Sequence, residues 1–209
     1  MKLLSHLFIA ILALSLWACS GTKTESKAET AEAEAPKKEE TRAAPAAESM
    51  SGDLFSIKVL KGDIPSPMKE LSAKIGGADV KIVYGSPSVK GRDLYGALVP
   101  YGKVWRTGAN EATTFETSAD IEVAGKSLPA GKYGFFTIPG ENEWTLIFNA
   151  TPDQWGAYNY DVAKDVLRVT ATPQASDKME ETMEFMRTDE NTMAYHWGKL
   201  MVPFAVAVK

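Results

Sequence analysis

The side chains best suited to binding a ligand are concentrated in one glycine-punctuated segment, residues 101–111. Arg106, Asn110 and Glu111 supply a guanidinium, an amide and a carboxylate beside the ring of Trp105. Charged and amide side chains in such a segment are typical of a functional loop carried on a rigid scaffold. Together they could bind a sugar by ring stacking and paired hydrogen bonds, or an acidic small molecule through the arginine.

A second irregular segment, residues 149–164, adds aromatic rings and further acids. Trp155 stands beside Gly156 outside any alternating pattern, so it is a better candidate for a ligand platform than a tryptophan on a strand. The candidate binding or catalytic side chains of the whole chain are Arg92, Lys103, Trp105, Arg106, Asn110, Glu111, Trp155, Tyr158, Asp161 and His196.

Three uses of these residues stay open at the level of sequence. The first, which we favour, is non-enzymatic binding of a ligand, a glycan or a partner protein. The second is a hydrolase or lyase in which Glu111 works with Asp161 or His196 as acid and base while Arg106 stabilises negative charge. The third is a structural module in which Arg106 and Glu111 form a buried ion pair, whose disruption would cost about 3 to 5 kcal/mol.

The residue inventory excludes several kinds of site. Cys19 is the only cysteine, and His196 is the only histidine outside the apolar N-terminal segment that holds His6. A four-ligand zinc site and a cysteine nucleophile are therefore excluded. The aspartates within residues 153–165 lack the spacing of a calcium loop, so we expect no metal and no other cofactor. Alternation in Tyr-His-Trp predicts a partly exposed His196 that is hydrogen-bonded to a neighbour.

The N-terminus has the features of a bacterial lipoprotein signal. Lys2 precedes an apolar run over residues 3–16, which ends in Leu-Trp-Ala-Cys. This ending resembles a lipoprotein box, which implies cleavage after residue 18 and attachment of lipid, including palmitate, at Cys19. We expect residues 1–18 to be a signal peptide and the protein to be held on a membrane of the cell envelope by its lipid. The Ser-Gly that follows Cys19 favours the outer membrane, while the face stays open.

Residues 19–52 are expected to form a disordered tether after the lipidated cysteine. Residues 20–52 contain no aromatic residue and no Leu, Ile or Val, so they cannot bury enough apolar surface to fold alone. Their basic and acidic residues are mixed, and the whole chain carries a net charge of −4. Without a basic stripe, we expect no nucleic-acid partner.

Residues 53–209 are predicted to form a single β-rich domain. Apolar residues alternate in several short runs, for example over 80–84, 144–148 and 200–208, and turn signals such as Pro-Gly separate them. Nine or ten such strands predict an all-β fold, an antiparallel β-sandwich or, alternatively, a barrel-like sheet. Residues 66–75 could begin a helix, but their alternation favours a strand.

Several motifs in this domain resemble those of a known family. Residues 84–92 read Tyr-Gly-Ser-Pro-Ser-Val-Lys-Gly-Arg, and residues 96–114 include Val-Pro-Tyr-Gly-Lys-Val-Trp-Arg-Thr-Gly-Ala-Asn-Glu. With Gln-Trp-Gly-Ala-Tyr-Asn-Tyr-Asp at 154–161, they resemble domain of unknown function family 2911 of secreted and lipid-anchored bacterial proteins. The resemblance covers the chain from about residue 66 onward. It implies one domain and an envelope location, and it brings no ligand or catalytic residue.

Overall fold

The computed structural model describes residues 48–51 and 54–209, which belong to one compact unit of the chain. The predicted signal peptide, Cys19 and most of the predicted tether lie outside the described residues. Within the described residues, no helix is long and apolar enough to cross a membrane.

The described residues form twelve strands in two antiparallel sheets, with one short 3-10 helix at Val162–Lys164. The large sheet has eight strands in the spatial order β1 (Glu48–Ser51), β2 (Phe55–Lys61), β3 (Met68–Ile75), β4 (Ala78–Gly85), β5 (Thr113–Thr117), β8 (Gly131–Ile138), β9 (Trp144–Asn149) and β10 (Asp165–Ala171). The small sheet has four in the order β11 (Gln174–Asp189), β12 (Thr192–Val208), β6 (Ile121–Val123) and β7 (Lys126–Leu128).

This architecture confirms the predicted antiparallel sandwich, since neither of the two described sheets closes into a barrel. Residues 68–75 form a strand, as their alternation indicated. The first strand, β1, pairs with β2 and begins at Glu48, inside the segment predicted as a tether. Residues 200–208, whose alternation predicts a strand, are the last part of a longer strand, β12, which begins at Thr192. Gly198 takes a φ of 64° within β12 and lets the strand bend without ending.

The main core lies between the sheets and is rich in aromatic rings. Phe115, Phe135 and Phe148 of the large sheet are at most 1 % exposed, and Phe135 meets Phe185 of β11 with ring centroids 5.9 Å apart. Trp144 is fully buried, as expected for a residue on an alternating strand. Such edge-to-face packing of rings adds to the free energy gained by burying their area.

A second, smaller apolar cluster lies on the other face of the large sheet. Phe136 and Ile147, on β8 and β9, are fully buried there with Ala112. Two long connections supply the cover: the first connection, residues 86–112, and the second connection, residues 150–164. Since β8 and β9 are buried on both faces, the connections are part of the folded structure and not loose loops.

A polar cluster joins the two sheets at one end of the sandwich. The Glu184 carboxylate on β11 accepts hydrogen bonds from the Tyr84 hydroxyl at 2.8 Å and the Thr182 hydroxyl at 3.1 Å, and it forms an ion pair with Lys69. The Lys69 and Glu184 side chains are 17 % and 18 % exposed. Burial, reinforced by the nearby Glu184 carboxylate, raises the pKa of the Tyr84 hydroxyl. Tyr84 therefore acts as a neutral donor.

Candidate functional site

Two glycines allow the two connections to lie directly against the large sheet. A Cβ atom on Gly85, at the end of β4, would stand 2.1 Å from the carbonyl oxygen of Ala109 in the first connection. A Cβ atom on Gly134, in β8, would stand 2.9 Å from the carbonyl oxygen of Thr151 in the second connection. Any larger residue at either position would push a connection away from the sheet.

The two connections are also hydrogen-bonded to each other. The Ala112 amide donates to the Gln154 carbonyl at 3.0 Å, and the Gly156 amide donates to the Asn110 carbonyl at 3.1 Å. Between these bonds Glu111 and Trp155 form an antiparallel bridge. The backbone pairing places the carboxylate of the first connection next to the aromatic ring of the second.

A groove of about 460 Å³ opens where the connections leave the outer face of the large sheet uncovered. Val83 of β4 and Thr114 of β5 contribute to its floor, on the face opposite the buried Ile82 and Phe115. The residues that line it are Met68, Val83, Tyr84, Gly85, Glu111, Ala112, Thr114, Glu116, Lys132, Pro152, Asp153, Gln154 and Trp155. We call this site the groove.

Two ion pairs lie at the rim of the groove. Lys132 Nζ is 2.9 Å from a carboxylate oxygen of Asp153, and Lys61 Nζ is 3.8 Å from a carboxylate oxygen of Glu111. All four side chains are at least 40 % exposed, so these pairs contribute little to stability. They are accessible to a ligand that offers hydroxyl groups.

A third carboxylate, Glu116, stands between two lysines on the same face of the sheet. In the strand register Glu116 of β5 pairs with Lys81 of β4 on one side and with Lys132 of β8 on the other. Of these two lysines, Lys132 lines the groove, and Lys81 lies outside its lining. Opposite charges facing each other across neighbouring strands also stabilise the pairing.

The predicted aromatic platform is present at Trp155. Its side chain lines the groove and is 58 % exposed, an unusual position for a large apolar ring. Tyr158, three residues later, is 84 % exposed but does not line the groove. Gly156, with a φ of 65°, sits under the Tyr158 ring, since a Cβ atom there would lie 3.0 Å from it.

Trp105 has a structural role instead. Its ring stacks on Trp197 with a centroid distance of 6.1 Å and meets Trp144 and Tyr195 edge-on. Its backbone pairs with Thr137 of β8 through hydrogen bonds of 2.7 and 2.9 Å. Trp105 thus anchors the first connection to the core and does not line the groove.

Arg106 and Asn110 do not converge with Glu111. The Arg106 side chain is half-buried, and its Nε atom has no hydrogen-bond partner among the described residues. Burial lowers the pKa of the Arg106 guanidinium. Asn110, at a φ of 63°, donates from its side chain to the Ser66 carbonyl at 3.4 Å. The ion pair considered between Arg106 and Glu111 is not formed in the described residues, where Glu111 is paired with Lys61.

The two residues considered as acid or base partners of Glu111 lie outside the groove. Asp161 caps the short 3-10 helix by accepting a hydrogen bond from the Ala163 amide at 2.9 Å.

His196 lies on β12, opposite Glu184 of β11, and is 5 % exposed. The prediction of a partly exposed histidine is therefore wrong, and the Nε2 atom of this buried ring has no hydrogen-bond partner among the described residues. The reason is that β12 is buried on both faces there.

The remaining predicted residues are separated from the groove. Lys103 is exposed in the first connection. Arg92 lines a different cavity, beside Tyr95 and Tyr101.

Comparison with known proteins places this architecture in a family. The model of the family described as "Protein of unknown function (DUF2911)" matches residues 66–206. The chain belongs to the DUF2911 family. No curated protein and no solved structure significantly matches the chain. The matched region of the DUF2911 domain runs from just before β3 into β12, so it includes both connections and the strands under the groove.

Sequence reasoning missed the floor and half of the rim of the groove in the DUF2911 domain. Thr114, Glu116 and Lys132 line the groove, but none of them is among the candidate residues named from the sequence. Alternation does place them opposite the buried Phe115 and Tyr133, which was the one available signal. Alternation could not show that the two connections border this part of the outer face of the large sheet and make it a groove.

The described part of the DUF2911 domain contains no group of three or more His, Cys, Asp or Glu side chains arranged to hold a metal ion. The acids that line the groove are Glu111, Glu116 and Asp153.

Proposed function

We propose that this DUF2911 domain binds a neutral glycan in the groove and does not transform it. The observation that carries the proposal is the exposed ring of Trp155 in the wall of a groove that is also lined by three carboxylates and the Lys132 ammonium group. Exposed aromatic rings of this kind stack against the apolar face of a sugar ring.

The charges of the groove favour a neutral ligand. Three acids, Glu111, Glu116 and Asp153, line the groove with Lys132, and two lysines outside the lining, Lys61 and Lys81, lie beside Glu111 and Glu116 and offset their charge. Sugar hydroxyls can donate to the carboxylates and accept from the ammonium groups. No arginine lines the groove, so the grounds for an acidic ligand at this site are removed.

Binding without turnover is supported by the positions of the acid and base candidates. Asp161 is used as a helix cap and His196 is buried in the small sheet, so neither faces Glu111 across the groove. A general acid or base must reach the reacting atoms within hydrogen-bond distance.

The test compares Trp155→Ala with Tyr158→Ala in the full chain. Probes are the neutral hexasaccharides of cellulose, xylan, mannan and chitin, titrated by calorimetry. We expect at least one of them to bind, Trp155→Ala to weaken that binding by about tenfold or more, and Tyr158→Ala to leave it within about twofold. Tyr158 is the matched control, because its ring is exposed on the same connection but lies outside the groove.

Two results would reject the proposal. One is failure of the wild-type chain to bind any of the four hexasaccharides. The other is equal binding by the wild-type and Trp155→Ala chains. The proposal also states that the glycan is not transformed, and an assay for reducing ends tests this on the hexasaccharide that binds. A steady increase in reducing ends would show that the domain is an enzyme.

We infer, from the N-terminal sequence alone, that the domain works at a membrane surface of the bacterial envelope, held by lipid on Cys19 and most simply at the outer membrane. Acyl chains contribute about 0.8 kcal/mol per buried methylene, and two or more of them give stable anchoring.

A further inference from the structure

A second cavity of about 740 Å³ lies away from the groove and shares no lining residue with it. One wall is formed by residues 89–101 of the first connection, and the other by Met179 of β11 and residues 198–200 of β12. We call it the Arg92 cavity. Its lining is chemically different from that of the groove.

The Arg92 guanidinium is fixed at the edge of this cavity. Its Nε donates to the Val89 carbonyl at 3.0 Å and one of its Nη atoms donates to the Ser88 carbonyl at 2.5 Å. These two bonds orient the planar group and leave further N–H donors unused among the described residues. Lys199 adds a second cation to the lining, and Asp93 is the single acid there. The cavity therefore carries a net positive charge.

The body of the cavity is aromatic and apolar. The Tyr101 ring packs against Gly96, where a Cβ atom would lie 3.0 Å from the nearest ring atom. Leu94 packs onto Gly198 in the same way, at 2.8 Å from a Cβ atom placed there. Tyr101 and Met179 remain 40 % and 48 % exposed, so apolar surface on both walls is open to a ligand.

We propose that the Arg92 cavity is a second binding site, which takes a small aryl carboxylate. The carboxylate would pair with the Arg92 guanidinium, supported by Lys199, and the flat ring would lie between Tyr101 and Met179. A preoriented guanidinium favours a planar carboxylate over a single-point anion, because it can donate two parallel hydrogen bonds. Aromatic and thioether side chains favour a flat apolar body.

The experiment titrates the full chain with 2-naphthoate and with its neutral analogue, 2-naphthamide. We expect 2-naphthoate to bind about tenfold or more tightly than the amide, and Arg92→Gln to remove that preference. Tyr101→Ala should weaken the binding of both ligands, because it removes the Tyr101 ring and leaves the Arg92 and Lys199 cations in place. Lys164→Gln is the matched control: this exposed lysine of the second connection lies outside the cavity, and its loss should leave binding within about twofold.

Arg92→Gln also loses contacts to two carbonyls, so Arg92→Lys and Lys199→Gln are measured beside it. Arg92→Lys should keep part of the preference for the anion, and Lys199→Gln should reduce it while the backbone contacts of Arg92 are intact. The proposal is overturned if 2-naphthoate and 2-naphthamide bind equally, if neither binds at millimolar concentration, or if Arg92→Gln and Lys199→Gln both keep the full preference. Glycan binding in the groove is independent of each of these results.

Discussion

At the scale of single residues, two tryptophans near the connections have opposite environments. Trp105 is packed against Trp197, Trp144 and Tyr195, whereas Trp155 is 58 % exposed beside the carboxylate of Glu111. Both stand in irregular, glycine-containing sequence, and nothing local distinguishes them. Only the second is placed to contact a ligand.

The buried ion pair between the sheets makes the strongest prediction at this scale. Glu184→Gln should lower the free energy of unfolding by about 3 kcal/mol, because it leaves the Lys69 ammonium mostly buried without a carboxylate. The measurement is urea unfolding at neutral pH. Adding Lys69→Met to this variant should recover part of the loss, since the uncompensated charge is then removed.

An exposed ion pair provides the comparison. Lys74 and Asp79 lie 2.5 Å apart with side chains 68 % and 70 % exposed. Asp79→Asn should therefore cost less than about 1 kcal/mol. If Glu184→Gln and Asp79→Asn lower the free energy of unfolding equally, burial does not give the Lys69–Glu184 pair the importance assigned to it.

At the scale of elements, the groove exists because two connections rest on the sheet at glycines. Gly85 lies under Ala109, and Gly134 lies under Thr151. The floor of β4 and β5 between these positions is left open. The position of the groove therefore depends on these two glycines, which let the connections approach the sheet, as well as on the residues that line it.

Gly85→Ala tests this arrangement. The added methyl group would stand 2.1 Å from the Ala109 carbonyl oxygen, so the first connection must move. We expect a loss of about 2 kcal/mol or more in unfolding free energy, in the range of overpacked cores, and weaker glycan binding as Glu111 shifts. Gly62→Ala is the control, because a Cβ atom there meets only Val59 at an ordinary 3.7 Å. Wild-type stability in Gly85→Ala would contradict the close packing.

At the scale of the whole molecule, buried tyrosines set a limit to stability at high pH. Burial is the first cause that raises the pKa of Tyr84, Tyr95 and Tyr195, and burial with a hydrogen bond to Asp165 raises the pKa of Tyr160 to about 12.

Unfolded tyrosines release their protons near pH 10, while these folded ones keep them. Above that pH the unfolded chain binds fewer protons, so the unfolding free energy falls as pH rises. Stability should be unaffected by these groups below about pH 9 and should decline between about pH 10 and 12.

Tyrosinate absorbance distinguishes this effect from other alkaline changes. The folded chain at about pH 11 should show less ionised tyrosine than the same chain in urea, out of its seven tyrosines. Tyr84→Phe should reduce the difference. Equal absorbance of the folded and unfolded chains would show that burial does not hold these protons.

The proposed anchor is also a property of the whole molecule. Cys19→Ser should abolish labelling by a palmitate analogue and move the protein from the membrane fraction to the soluble fraction, because Cys19 is the only cysteine. Ser20→Ala is the matched control and should leave labelling unchanged. Membrane association of Cys19→Ser would reject lipid anchoring as its cause.

The fold was largely predictable, because each strand carries its own evidence. Period-two alternation identifies the buried face of β4, β5, β9 and β12 without knowledge of their partners. It predicted the sandwich and placed Trp144 in the core. It did not show that the strand over 200–208 begins at Thr192 and continues through a bend at Gly198.

The candidate site was predictable only in part. Glu111 and Trp155 were both named from residue type, and the pairing of the two connections brings them together. Arg106 and Asn110 were expected beside them but do not line the groove. Thr107 and Asn110 take positive φ angles of 52° and 63°, and such backbone reversals are not visible in residue types.

From the amino-acid sequence one can read which side chains are available for chemistry, including the single cysteine and the single histidine outside the apolar N-terminal segment, and which strand faces are apolar. Only the folded structure shows that Glu111, Glu116, Lys132 and Trp155 line one groove. Strand faces follow from neighbours two residues apart, whereas the groove depends on contacts between segments that are distant in the chain.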